Sequence, residues 1–183
     1  MSRIPALQPS EMNSEQRRFH DNIVAGPRGG MGGPFQAWIH SPEFADRAQM
    51  LGEYCRFNSA LEPRLSELAI LITARKWTAQ FKWFAHEPMA LKAGLTAAVI
   101  ADIRERREPS FDHADEAAVH AFCLELHGEN RVSDATYGEA KAQLGVQGVV
   151  DLVGVLGYYV LVAMTLNVFE MPLPDGVAPP LAP

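Results

Sequence analysis

Glu67 is the first side chain whose type and position could do chemistry. Positions 67, 70, 71 and 74 share one face of a helix, where the neighbours of Glu67 are Ile70, Leu71 and Ala74. A carboxylate among apolar side chains costs free energy unless it is paired or hydrogen-bonded, because it loses its hydration. The sequence therefore predicts a polar partner for Glu67 on a neighbouring element.

His86 is the candidate partner, because it lies on the next predicted helix. Glu67 precedes Thr78, in the turn between the two helices, by 11 residues, and His86 follows Thr78 by 8. In an antiparallel pair the two side chains would differ in height by roughly 5 Å. A glutamate bonded to a histidine holds the imidazole tautomer and raises its basicity, which suits acid–base catalysis near neutral pH. The same spacing also fits a buried polar pair that only joins two helices.

The elements that must position these residues are all predicted to be helices. Hydrophobic spacing, N-cap residues and prolines at first helical positions mark them. No segment alternates with period two between turn signals, so a sheet is not expected. We expect an all-α fold of six to eight helices, in a single domain over residues 1–183. The predicted spans are 15–24, 42–57, 63–75, 79–93, 96–108, 114–127, 134–144 and 148–167, with Ser14, Ser41, Thr78 and Ser133 as N-caps.

Proline and glycine mark the parts that we expect to be non-helical. Residues 1–9 and 171–183 are proline-rich and are predicted to be extended arms. The glycine-rich stretch from Ala25 to Pro34 lacks the GxxxxGK[ST] order of a phosphate-binding loop, so we interpret it as a flexible connection. The charged run from Ile103 to Pro109 is interpreted as a solvated helix end.

Composition narrows the classes of protein. The chain has 183 residues, of which 48% are hydrophobic, and a formal net charge of -6, which disfavours a nucleic-acid partner. The start lacks the apolar run of a secretory signal, and we interpret Cys55 and Cys123 as reduced, buried thiols, so a cytoplasmic location is expected. The apolar run from Leu152 to Phe169 is predicted to be a fully buried helix rather than a membrane span, because it lacks basic flanks.

The predicted helix over residues 114–127 carries several side chains that bind metals in other proteins. One straight helix rarely wraps enough ligands around a tetrahedral ion, and neither CxxC nor HExxH is present. We therefore expect no metal. The side chains concerned are His113, Glu116, His120, Cys123 and His127.

The stretch ELAILITARKWTAQFKWFAHEPMALKAGL, residues 67–95, carries a family resemblance. It resembles the signature of the carboxymuconolactone decarboxylase family, which is related to alkylhydroperoxidase D. The segments 41–67 and 148–176 are also similar to this family, so that the resemblance spans roughly residues 34–176. Several separated motifs occur in the family's order, which makes the resemblance fairly specific.

One departure from the alkylhydroperoxidase D pattern concerns the thiols. Members of that type have a glutamate, then a CxxC pair, then a histidine four positions after the second cysteine. Glu67 and His86 match the glutamate and the histidine, but the cysteine positions fall on Ala79 and Lys82. Thiol peroxidase chemistry needs an attacking thiolate and a second, resolving thiol. The family's peroxidase activity is therefore not expected here.

The resemblance implies a lyase of the decarboxylase branch, whose members also lack the cysteine pair. Their reaction removes carbon dioxide from a carboxylated unsaturated lactone in aromatic catabolism. It needs no cofactor, because the ring holds the electrons as a dienolate. His86 would be the proton donor and Glu67 the group that orients it. The substrate-binding residues implied are Lys82, Trp83, Arg75, Tyr158 and Tyr159.

The resemblance also implies self-association. Such proteins form homotrimers or homohexamers with active sites near subunit interfaces, so we expect one of these assemblies and a small-molecule substrate. Two alternatives to the lyase stay open from the sequence. One is an alkylhydroperoxidase-like antioxidant, which the missing CxxC disfavours, and the other is a non-enzymatic oligomeric binding protein.

Overall fold

The computed structural model describes residues 2–26 and 29–183, so Met1 of the N-terminal arm and two positions of the glycine-rich loop lie outside it. The described residues form eight α-helices, which confirms the all-α prediction. A single 3₁₀ turn precedes them, at Pro9–Glu11. The helices are α1 Ser14–Ala25, α2 Phe35–Trp38, α3 Pro42–Glu53, α4 Pro63–Lys76, α5 Gln80–Ala93, α6 Ala97–Arg104, α7 Ala114–Glu129 and α8 Asp134–Val168.

The helix ends follow local hydrogen-bonding chemistry, with some differences from the prediction. Ser133 is an N-cap, as predicted, and Thr96, predicted as the first residue of its helix, is also an N-cap, because each side chain accepts a hydrogen bond from a backbone N–H three residues on. The cap of α1 is Asn13 rather than Ser14, since the Asn13 side chain accepts the equivalent bond. Ser41 stands at the cap position of α3 without a side-chain bond.

Helix α4 forms the centre of the molecule. Every side chain from Leu65 to Arg75 is buried, because α5, α7 and α8 pack around it. A helix enclosed in this way must be apolar on most sides, and each buried polar residue on it needs a partner. Arg64, in its first turn, binds the carboxylates of Asp115 and Glu116 and so fixes the start of α7.

Helices α4 and α5 form the antiparallel hairpin that the sequence predicted. Thr78 occupies the turn with a φ of 45°, a left-handed conformation that is uncommon for a β-branched residue. It is therefore a turn residue rather than the predicted cap. The backbone N–H of Ala79 donates to the Ala74 carbonyl at 2.9 Å, and the Asn167 side chain donates to the Trp77 carbonyl at 2.8 Å. These bonds fix the turn against α8.

Helix α8 is interrupted at Gly145, whose φ of 70° and ψ of 175° are not helical. This confirms the predicted break between two helical segments. The part after the break is long and apolar enough to cross a membrane by composition, and 61% of its most apolar stretch is buried in the fold. One side of this helix therefore packs in the core. The prediction that it is fully buried was wrong, because its outer side is exposed.

Both arms of the chain lie against its own helices. The backbone N–H of Arg3 donates to the Phe169 carbonyl at 2.9 Å. At the other end, Leu181 exchanges two hydrogen bonds of 2.9 Å with the side chain of Gln80, the first residue of α5. The C-terminal arm therefore closes over the start of the helix that carries His86.

Candidate active site

The hairpin brings Glu67 and His86 into direct contact. Glu67 lies in the second turn of α4 and His86 in the middle of α5, and the distance from Glu67 Oε2 to His86 Nδ1 is 2.7 Å. The side chains are 11% and 9% exposed, respectively. A short hydrogen bond to an ionised carboxylate is the strong, charge-assisted kind. The predicted difference in height along the two helices is thus small enough for the pair to meet.

This contact determines the tautomer of His86. A carboxylate can only accept, so His86 donates its Nδ1–H to Glu67, and in the neutral ring Nε2 carries the free electron pair. Burial lowers the pKa of His86 and is the largest effect, while the charge of Glu67 and the hydrogen bond to it oppose this. The net lowering of the pKa means that His86 is neutral at pH 7 in the free protein.

A cavity of about 290 Å³ opens on the same side of α5 and has His86 in its wall. Among the described residues, Nε2 of His86 has no hydrogen-bond partner, so it is the nitrogen available to a ligand. The rest of the wall is mostly apolar. Its main contributors are Phe35, Phe81, Ala85, Met89, Tyr158, Tyr159, Val162 and Leu166.

Lys82 lies one turn before His86 and also lines the cavity. It is 1% exposed, and its Nζ donates to the Tyr159 carbonyl at 2.9 Å. Burial lowers the pKa of Lys82 well below its ordinary value, and the attraction of Glu67 opposes this only in part. A buried amine with a strongly lowered pKa is a feature of functional sites more often than of inert cores.

Tyr158 and Tyr159, on α8, also line this cavity. The ring of Tyr159 packs edge-on against His86 with the ring centroids 5.1 Å apart, and Nζ of Lys82 lies 5.1 Å from the Tyr159 ring centroid. Tyr158 packs edge-on against Tyr159 at 5.2 Å. The two tyrosines therefore hold the His86 ring and the Lys82 amine in place.

These features agree with a likeness found among solved structures. No family model and no curated protein matches the chain. The crystal structure of an alkylhydroperoxidase AhpD core, an uncharacterised peroxidase-related protein from Ralstonia eutropha JMP134, superposes with a TM-score of 0.77. The match covers 95% of this chain and 93% of that chain at 12% sequence identity. The chain has the AhpD-like fold. At this identity the likeness establishes the fold alone.

The thiols of this AhpD-like chain are poorly placed for peroxide chemistry. Both cysteines are buried and neither is in a disulfide; Cys55 lies in the turn after α3 and Cys123 on α7, so neither is on α5. Burial raises the pKa of the Cys123 thiol, so that it does not form the thiolate that peroxide reduction requires. The positions 79 and 82, where the sequence resemblance places a CxxC pair, are alanine and lysine.

Arg56 is a cavity residue that the sequence did not single out. It lies in the π-helical turn Tyr54–Asn58 that extends α3, and it lines the cavity beside Met89, with Nη2 2.9 Å from the methionine sulfur. Its charge is near enough to contribute to the lowered pKa of His86. Single π-helical turns occur often at functional sites, and this one turns a guanidinium toward the cavity.

Two predicted substrate contacts lie elsewhere. Arg75 is on α4 eight residues after Glu67, which is about 12 Å along the helix axis, and it lines a separate cavity. Trp83 is fully buried, its Nε1 donates to Oε2 of Glu87 at 2.8 Å, and it does not line the cavity. The structure therefore corrects both assignments, and Arg56 is the arginine that lines the cavity beside His86.

The glycine-rich loop, interpreted from the sequence as a plain connection, also contributes to the cavity. In its described part, Gly29, Gly30, Gly32 and Gly33 line the wall. Gly33 has a φ of 62°, and a Cβ there would lie 3.2 Å from the ring of Phe81 on α5. The loop can approach α5 this closely at Gly33 because glycine has no side chain there.

The polar residues of α7 do not form a metal site. Within residues 2–26 and 29–183, no three histidine, cysteine or acidic side chains are arranged to hold a metal ion. Three of the candidate side chains instead contact residues of other elements. Glu116 binds Arg64, His120 packs on Phe111, and His127 contacts Thr73.

Proposed function

We propose that this protein is a cofactor-free lyase that decarboxylates a small, carboxylated, unsaturated lactone or a related compound. The observation that carries the proposal is the buried Glu67–His86 hydrogen bond in the wall of a cavity that also contains a lysine and an arginine. A proton-transfer group, its orienting carboxylate and a fixed positive charge are the parts that such a reaction needs.

The reaction balances without a redox partner. The bond between the carboxylate carbon and the ring breaks, carbon dioxide leaves, and the electron pair is delocalised into the unsaturated carbonyl as a dienolate. The Nε2–H of protonated His86 then donates its proton to carbon, which forms the new C–H bond and returns His86 to the neutral form. One proton is taken from water in each turnover to restore the imidazolium.

Protonation of His86 is coupled to binding in this proposal. Burial keeps His86 neutral in the free protein, whereas a bound substrate carboxylate brings a negative charge into the cavity. An opposite charge within about 4–6 Å favours the imidazolium, so the substrate and the proton enter together. Arg56 is the permanent cation for the carboxylate, and Lys82 adds a hydrogen-bond donor in the lining of the same cavity.

The size of the cavity restricts the substrate. Its volume of about 290 Å³ lies near the lower end of small-molecule sites, and its wall is mostly aromatic and aliphatic. A single five- or six-membered ring with one or two short polar substituents fits these properties. A nucleotide or a lipid chain would not be enclosed.

We also propose that the protein self-associates through the outer side of α8. An apolar stripe runs along that side at spacings of three and four residues, the pattern of a helix that packs against another helix. Gly157 in the middle of the stripe would let two backbones come close. A second copy of the chain is the partner that the stripe fits, because the stripe contains no charge. Its members are Val146, Val150, Val153, Gly157, Leu161, Met164 and Val168.

The proposal is tested by supplying the purified protein with carboxylated butenolides in D₂O. Proton NMR should show the ring C–H signals of the substrate replaced by those of the decarboxylated product, with one deuterium at the newly protonated carbon, while carbon dioxide is released. Omission of all added metals and cofactors should not change the rate. Saturable binding of these compounds with no turnover would contradict the lyase and favour a binding protein.

A further inference from the structure

A second cavity, of about 440 Å³, lies between the end of α4, the loop after α6 and the middle of α7. It shares no lining residue with the candidate active site. We propose that this basic cavity binds a small organic phosphate, namely a phosphate monoester with an apolar substituent. Its basic side chains are Arg75, Lys76, Arg106 and Arg107, and Glu108 is the acidic one.

Arg75 is the central residue of the basic cavity. It is only 7% exposed, yet its sole hydrogen bond among the described residues runs from Nη1 to Thr78 Oγ1, at 3.3 Å. Its Nε is buried without a partner. A donor that has left water costs free energy until it finds an acceptor, so an anion that accepts from Nε would remove this cost.

Arg106 approaches the same cavity from the loop after α6. It has a φ of 58°, a left-handed conformation that costs free energy for a residue with a side chain. Burial and then the charge of Arg106 lower the pKa of Arg75, which places the two guanidinium groups within electrostatic reach of each other. A phosphate bound between the two guanidinium groups would attract both of them and offset their mutual repulsion.

The other charges near the cavity leave these two arginines available. Arg107 is paired with Asp102 at 2.9 Å, so it contributes less. Glu108 lies 4.0 Å from Nδ1 of His120 rather than against Arg75. Glu105 favours the charged form of Arg75 but forms no ion pair with it in the described part of the chain. The charged run from Ile103 to Pro109, which the sequence predicts to be a solvated helix end, therefore also forms part of the wall of this cavity.

Two further groups indicate what kind of anion would fit. His127 contacts Thr73 Oγ1 at 3.1 Å, and because the Thr73 hydroxyl donates to the Ala69 carbonyl, His127 must donate from Nε2. In the neutral ring its Nδ1 is then an acceptor, which suits the P–OH group of a monoprotonated phosphate rather than a phosphate oxyanion. Apolar contacts come from the side chains of Ile72 and Ile103. Guanidinium forks match phosphate oxygens, and the aliphatic side chains match a hydrocarbon substituent.

Phenyl phosphate is the probe for this site, with inorganic phosphate and benzyl alcohol as comparators. Isothermal titration of the full chain should show saturable binding of phenyl phosphate, weaker binding of inorganic phosphate and none of the alcohol. The ring protons of His120 and His127 should shift on binding, while those of His86 should not. Inorganic phosphate that binds as tightly as phenyl phosphate would overturn the organic part of the proposal.

Variants localise the binding. Arg106→Asn suits the left-handed backbone and should raise the Kd for phenyl phosphate by about tenfold or more, since a hydrogen bond to a charged group contributes at least this factor. Arg47→Gln, at an exposed arginine on α3, should leave the Kd unchanged. Arg75→Met should abolish binding. If Arg75→Met does not fold, the Kd of Arg106→Asn is the test of the proposal. An unchanged Kd in Arg106→Asn would overturn the proposal.

Discussion

His86 Nδ1 lies 2.7 Å from Glu67 Oε2, and this bond joins the two central helices at the wall of a small cavity. The bond leaves Nε2 as the nitrogen for a ligand. It also places the Glu67 side chain, which does not line the cavity, against Nδ1 of the ring. An imidazole held in this way can gain and lose a proton at Nε2 while the ring keeps its orientation, which repeated proton transfer requires.

Replacement of Glu67 by glutamine tests the role of its charge. The glutamine side chain keeps the size and can still accept the Nδ1–H, but it no longer stabilises the imidazolium. We expect kcat to fall by about 10²-fold or more, because general acid–base catalysis typically contributes 10²–10⁴. Glu43→Gln, at an exposed glutamate on α3, is the matched control. Equal kcat values in the two variants would show that the charge of Glu67 is not used.

The pH dependence of kcat/KM reports the form of His86 that the free enzyme needs. Burial lowers the pKa of His86 below 6.5, and the reaction needs the protonated ring. We therefore expect kcat/KM to fall by about tenfold per pH unit above that pKa. In Glu67→Gln this limb should move to lower pH, because the attraction that raises the pKa is lost. A kcat/KM that rises with pH would identify His86 as a base instead.

Part of this site could be predicted from the sequence and part could not. Helical periodicity and the turn at Thr78 were enough to pair Glu67 with His86, because both depend on residues close in the chain. Arg56 was missed since its position depends on a π-helical turn and on how α3 packs across the fold. Arg75 was assigned to the wrong cavity because residue type was considered without the rise along α4.

Lys82→Met should stabilise the protein while it lowers activity. The folded-state pKa of Lys82 lies far below its unfolded value, so the unfolded chain binds more protons at every pH between the two. This proton imbalance reduces stability as the pH falls from about 10 toward 7, and methionine removes it. We expect the free energy of unfolding to rise by about 1–4 kcal/mol at pH 7 and by less at pH 10.

Urea unfolding at both pH values measures this effect, with Lys92→Met on the exposed side of α5 as the control. The same variant should reduce kcat/KM on the carboxylated substrate, since the amine contributes a hydrogen bond in the cavity. A Lys82→Met protein that is less stable at pH 7 would mean that the bond to the Tyr159 carbonyl outweighs the cost of burying the amine.

The apolar stripe on α8 gives a prediction about assembly. Val150 is 65% exposed in the isolated chain, and a glutamate there would place a charge inside an interface between copies. We expect Val150→Glu to shift the mass measured by light scattering from an oligomer toward the monomer. Met50→Glu, at an equally exposed apolar residue on α3, should leave the mass unchanged. Oligomers of the same mass in Val150→Glu would place the interface on another surface.

The most direct test of the proposed chemistry is the rate of carbon dioxide release by His86→Gln beside the wild type and His113→Gln. His113 is an exposed histidine at the start of α7, far along the chain from the cavity residues. We predict that His86→Gln binds the carboxylated lactone but loses about 10³-fold or more in kcat. His113→Gln should retain the wild-type rate. A His86→Gln protein that releases carbon dioxide at the wild-type rate would contradict the proposal that His86 transfers the proton.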